Sequence, residues 1–93
     1  MGKRARMRQE RLAEKLLQIR LTLELSQSEM LKRLGFEDTL DYKRISEYEL
    51  DKNEPPLAVL LSYARVAGVC MDVLVDDELD LPDKLPAKQK HRL

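Results

Sequence analysis

Residues 25–50 read LSQSEMLKRLGFEDTLDYKRISEYEL, and their chemistry decides the fold. Ser26, followed three residues later by Glu29, is a capping box. The hydroxyl and the carboxylate reciprocally satisfy two amide donors that a helix start leaves orphaned. Leu25 before the cap and Met30 at the fourth helical position supply a hydrophobic staple. Met30, Leu31 and Leu34 share one face. Gly35 closes the segment, because glycine takes the positive φ of a helix end without a Cβ penalty. A helix over 27–34 is thus bounded by chemistry at both ends. After a joint at Phe36 to Leu40, Asp41 is placed as the next N-cap. It opens a second short helix over 42–50, with Ile45, Tyr48 and Glu49 inward and Tyr42, Lys43, Arg44, Ser46 and Glu47 outward. An earlier start, at Asp38 or Thr39, is also open.

The flanks supply supporting helices. Leu12, Leu16, Ile19 and Leu23 recur at steps of four, three and four, one stripe of a helix over 9–23. Glu10, Glu14, Arg11 and Lys15 fall on its solvent side. Arg20 lies at the edge of the stripe, where it can fold inward to a carboxylate or snorkel outward. Asp51 to Glu54 is a polar loop, and Pro55-Pro56 prevents a helix from running through it. Leu57, Leu60, Leu61 and Ala64 then mark the inner face of a helix over 56–67. Gly68 ends it, with Val69 packing back over the end. Cys70 to Val75 forms a short fifth helix with Val73 and Leu74 inward. Residues 76–93 are acidic, then punctuated by Pro82 and Pro86, then basic. Leu79, Leu81 and Leu85 alternate weakly, so this tail is either disordered or pairs with a second copy as a strand or an extension of the last helix. The chain is expected to be all-α, a compact bundle of about five short helices. It divides into a basic flexible arm (1–8), a helical domain (9–75) and a tail (76–93).

A chain of 93 residues forms one domain. It buries only about 60% of its extended surface, which leaves a thin core and makes a partner subunit plausible. With no Trp, one Phe and many Leu, Glu, Lys and Arg, the composition favours helix over sheet. No apolar run reaches membrane-spanning length, and the basic start leads into an amphipathic segment, unlike a secretory signal. The single Cys fits a reducing, cytoplasmic location. Formal net charge is zero, but its distribution is uneven. Residues 1–20 carry seven Lys/Arg against two acids, and residues 51–83 carry two basic groups against eight acids. Fields act within about 8–10 Å, so a basic arm beside a docking helix matters although the total cancels. Cys70 reads as a small buried hydrophobe, and His91 has no second ligand nearby in sequence. No metal spacing, phosphate-cradling Gly loop or nucleophile–base set is present. Neither an enzyme nor a cofactor is therefore expected.

The ordered run Arg20, Leu25-Ser26-Gln27, Glu29, Leu34-Gly35, Ile45-Ser46, Tyr48-Glu49, Pro55, Leu60, Ala64, Gly68-Val69, Asp72 and Leu74 resembles the Cro/CI-type helix-turn-helix. This family is also called XRE or lambda-repressor-like, and the resemblance covers residues 9–75. It implies a five-helix DNA-binding domain whose second helix crosses the DNA backbone and whose third lies in the major groove. It also implies a structural ion pair between Arg20 and Glu49. Two departures stand out. The resemblance implies about five residues between the turn glycine and the buried aliphatic of the third helix, whereas nine separate Gly35 from Ile45 here. This is a four-residue expansion inside the motif. Leu31 also replaces the small Ala that lets the two helices approach. A Leu needs more room and a longer joint gives it, so the departures are mutually consistent.

The resemblance places DNA contacts at Gln27, Tyr42, Lys43, Glu47 and Lys52, and Arg44 beside them is a further phosphate or base ligand. Gln27 stands at a helix N-terminus that favours a phosphate, and Lys52 follows the third helix as a second backbone contact. Lys43 or Arg44 can donate to guanine, Glu47 can accept from cytosine N4, and Tyr42 can pack on a thymine methyl or reach a phosphate. The acids Glu37, Asp38 and Asp41 are expected to turn the joint away from phosphates. The expected function is a sequence-specific double-stranded DNA-binding transcriptional regulator, a repressor, acting as a homodimer. The alternative is a protein-interaction module, such as an antitoxin or partner-binding subunit, on the same fold.

Overall fold

Five helices follow one another in the computed structural model, which describes residues 9–86: α1 (Leu12–Thr22), α2 (Gln27–Leu34), α3 (Lys43–Glu49), α4 (Leu57–Ala67) and α5 (Met71–Val75). No strand occurs among the described residues. The basic arm over 1–8 and the tail end over 87–93, His91 included, lie outside them. Helix α1 packs on α3 and α5, α2 packs on α3 and α4, and α4 packs on α5. The core gathers Leu16 and Ile19 of α1, Met30 of α2, Ile45 of α3, Tyr63 of α4 and Leu74 of α5.

Helix α2 starts and stops where its residues dictate. The Ser26 hydroxyl accepts the Glu29 amide at 3.0 Å, and a Glu29 carboxylate oxygen accepts the Ser26 amide at 2.7 Å. Gly35 ends it at φ 88°, with the Gly35 amide on the Lys32 carbonyl and the Phe36 amide on the Leu31 carbonyl. This double bond pattern is the Schellman closure. It recurs at Gly68, where the Val69 amide reaches Ala64. It recurs twice more without glycine. Glu24 at φ 63° ends α1, and Asp51 at φ 61° ends α3. The amides of Leu25 and Lys52 reach back to the Arg20 and Glu47 carbonyls respectively.

The expanded joint is itself one helical turn. The Thr39 and Leu40 amides both reach the Phe36 carbonyl, at 3.0 and 2.8 Å. That turn brings Phe36 and Leu40 to one side, and both pack against the core. The extra residues add an apolar plug between α2 and α3, while Glu37, Asp38 and Asp41 stay exposed. Leu31 is buried.

Several expectations need correction. Helix α1 begins at Leu12 and not Gln9. Lys15 is not on the solvent side: only 1% of it is exposed, and its ammonium donates to the carbonyls of Val73 and Asp76. Helix α4 faces inward through Val59, Leu60, Tyr63, Ala64 and Ala67, and leaves Leu57 76% exposed and Leu61 exposed. The inner stripe is rotated from the predicted one and takes in Tyr63, the largest fully buried side chain among the described residues. Cys70 is exposed. The core does not stop at Val75 either, since Leu81 is buried in it and Leu85 packs against it.

Candidate nucleic-acid interface

Helix α3 buries two side chains, Ile45 and Tyr48, and so is held along one edge. It opens with an Asx turn. The Asp41 carboxylate accepts the Lys43 amide at 2.9 Å, so Asp41 caps the helix although the regular turns begin one residue later than predicted. The opposite edge carries Tyr42, Lys43 and Arg44, all exposed, and Tyr42 is 49% accessible. Lys52 is exposed in the turn that follows the helix.

Two polar clusters organise this surface. In the first, the Arg20 guanidinium meets Glu49 in a bidentate pair, Nε to Oε2 at 2.7 Å and Nη2 to Oε1 at 3.0 Å. Its remaining nitrogen, Nη1, donates to the Leu25 carbonyl at 3.1 Å. The Gln27 side-chain amide donates to Glu49 Oε1 at 3.4 Å. The pair therefore ties the end of α1, the start of α2 and the end of α3 together. Only 4% of the Glu49 side chain is exposed. A fork-on-fork pair suits such a desolvated place, because both carboxylate oxygens are satisfied. The hydrogen bond to Glu49 raises the Arg20 pKa above its ordinary value, with burial opposing it.

The second cluster lies on the outer edge. Arg44 Nη1 pairs with Glu47 Oε1 at 3.1 Å, and Asn53 Nδ2 donates to the same oxygen at 2.7 Å. Arg44 and Glu47 thus partly neutralise each other. No sequence signal marks Asn53 for this contact. Its part depends on the reversal at Asp51, which folds the loop back onto α3, and no glycine signals that reversal. The structure brings Gln27 together with the ion pair and Arg44 together with Glu47. Tyr42 and Lys43 stand at the opening of α3, and Lys52 beyond its end.

Tyr63 is fully buried, and its hydroxyl has no hydrogen-bond partner among the described residues. Burial pushes its pKa far above the ordinary value, with a smaller push from the Glu49 charge. Sequence periodicity gave no hint of this orphan group. Among the described residues no set of His, Cys, Asp and Glu could hold a metal, and no helix is long and apolar enough to cross a membrane. No family model, curated protein or solved structure matches this chain.

Proposed function

We propose that this protein is a sequence-specific double-stranded DNA-binding regulator that reads the major groove with α3, acting as a dimer and as a repressor. One observation carries the reading: α3 is anchored by one edge and offers Tyr42, Lys43 and Arg44 on the other, and follows the locally capped α2 across the expanded joint. A major groove admits one helix, and donors along its outer edge can reach base edges. Helix α2 would lie across the backbone, with Gln27 and Lys52 on phosphates. Glu47, already held by Arg44 and Asn53, would present a carboxylate to cytosine N4. Arg20 and Glu49 act structurally. The sequence resemblance to the Cro/CI-type family points the same way.

A second reading is favoured by the exposed apolar side chains Leu50, Leu57 and Leu61, which suit a protein partner. One assay separates the two. Fluorescence anisotropy on random and selected duplexes, across a salt series, should give a log–log slope of about −0.9 per phosphate neutralised. Lys43→Ala should weaken binding to the selected duplex, by about tenfold if Lys43 makes one good base contact. Absence of duplex binding at low salt, or of any enriched sequence after selection, rejects the regulator and leaves the partner-binding module.

A further inference from the structure

We propose that residues 76–81 form a closing strap that withholds the cations Arg11 and Lys15 from polyanions such as a nucleic-acid backbone. Helix α1 has no side-chain cap of its own at Arg11. The amides at its entry, that of Arg11 and that of Glu10 before it, are taken by a group far along the chain. The Asp77 carboxylate accepts the Glu10 amide at 2.9 Å and the Arg11 amide at 3.1 Å. The Arg11 guanidinium turns back onto the same segment. It donates to the Asp77 carbonyl at 2.7 Å and the Leu79 carbonyl at 3.4 Å, and pairs with the Asp80 carboxylate. Lys15 donates to the carbonyls of Val73 at 2.8 Å and Asp76 at 2.9 Å. Leu81 fixes the far end in the core.

The strap neutralises and covers at once. Residues 76–80 contain four acids, Asp76, Asp77, Glu78 and Asp80, so the closed strap repels a polyanion. Arg11 gives the strap both Nη atoms and gives its Nε to Glu14 at 3.3 Å, while Lys15 divides its donors between Asp76 of the strap and Val73 of α5, so the strap must open before either can turn to a phosphate. Opening breaks solvent-facing contacts, with Arg11 34% and Asp80 79% exposed at the side chain, and unseats Leu81. The exposed ion pair is individually weak, and the strap is held chiefly by buried Leu81 and the Lys15 contact to Asp76, so it opens as a unit short of global unfolding. Once open, α1 presents two cations beside a helix N-terminus, a combination that attracts anions. The strap contacts stand apart from the reading of α3, and only the duplex arm of the test rests on that reading.

The test uses the full chain. Asp77→Ala with Asp80→Ala releases the strap. Glu78→Ala with Asp83→Ala removes the same charge from exposed side chains that take no part in the contacts to α1 described above. Trypsin should cut the first variant after Arg11 at least about tenfold faster than wild type, and the second at the wild-type rate. Binding to a random duplex should show a salt slope steeper by about 0.9 for the first variant, since Arg11 is released while Lys15 keeps its carbonyl acceptors, and elution from heparin should need more salt. The second variant should keep the wild-type slope. Equal slopes in the two variants, or unchanged cleavage in the first, overturns the proposal. Should the first variant fail to fold, Lys15→Met decides. A masked cation contributes nothing, so its loss leaves the slope unchanged, and a slope shallower by about 0.9 overturns the proposal. If wild type binds no duplex, the regulator reading falls, while cleavage and heparin elution still judge the strap.

Discussion

Helices α1 and α2 both leave amides unpaired at their N-termini, and they satisfy them by opposite means. Helix α2 uses Ser26 and Glu29, its own neighbours. Helix α1 uses Asp77, 66 residues beyond Arg11. Lys15 of α1 in turn donates to carbonyls at the end of α5, where a cation complements the helix dipole. So α1 and the segment after α5 cap one another, while α2 caps itself. A locally capped helix can begin to form before the rest of the fold. A remotely capped one is complete only when the chain has closed, since the loop must be shut before its contacts count.

This contrast can be broken in several ways. The largest effect should follow Glu49→Ala, which strands the Arg20 guanidinium in a half-buried site and should cost about 3–5 kcal/mol in urea denaturation. Because the pair ties three helices, the loss should be global, and hydrogen exchange should not single out α2. Replacing both partners by Met and Leu should restore most of the loss. Next comes Leu81→Ala, at about 2–3 kcal/mol for an apolar group at the edge of the core. Here exchange should rise first at Glu10 and Arg11, with α2 protected. If α2 opens together with them, the two regions are not independent.

Ser26→Ala should cost about 1 kcal/mol and raise exchange at the Glu29 amide alone. Glu24→Gly should stabilise by about 1 kcal/mol, because Glu24 holds a left-handed φ of 63° that glycine adopts without strain. A thermal melt reads that gain, and no gain would mean that Glu24 makes a compensating contact. The smallest effect at neutral pH should be Tyr63→Phe, within about 1 kcal/mol of wild type or more stable, since the hydroxyl is unpartnered. Its signature is alkaline. Burial raises the pKa of Tyr63 and Tyr48 above the ordinary 10.0. Stability from these groups is fully present below about pH 10 and falls as pH rises above it, because the unfolded chain ionises first. Burial lowers the Lys15 pKa below its ordinary 10.5, which works in the opposite direction as pH rises toward that value. Denaturation midpoints of Tyr63→Phe and wild type, compared at about pH 8 and about pH 11, isolate the tyrosine contribution. The variant should decline less.

Much of the architecture is legible along the chain because its signals are local. Both ends of α2 coincide with the residues predicted for them, and Gly35 and Gly68 mark their helix ends. Glu24 and Asp51 make the same closure without glycine, so the ends of α1 and α3 lack that signal. The start of α1 lies three residues beyond the predicted one for a related reason, as its cap is not nearby in sequence. Periodicity placed Leu57 inside because four aliphatics fit one stripe, whereas the choice among near-equal stripes depends on which side chain fills the centre. For the candidate interface, the outward set on α3 is readable from spacing. The Arg44–Glu47–Asn53 cluster and the link from Gln27 to Glu49 are not.

The sequence by itself determined the helical class, the self-capped α2, the joint expanded by four residues and an outer edge of α3 that is basic and aromatic. Each rests on residues within one or two turns of each other, where geometry follows from chemistry. Tertiary structure alone decided that Lys15 is buried, that Tyr63 is wholly enclosed in the core, that the joint folds into a turn plugged by Phe36 and Leu40, and that residues 76–81 close over α1. Those outcomes depend on which distant groups meet when the chain closes. A carboxylate at position 77 signals nothing to the amides of Glu10 and Arg11 until folding sets them about a hydrogen bond apart.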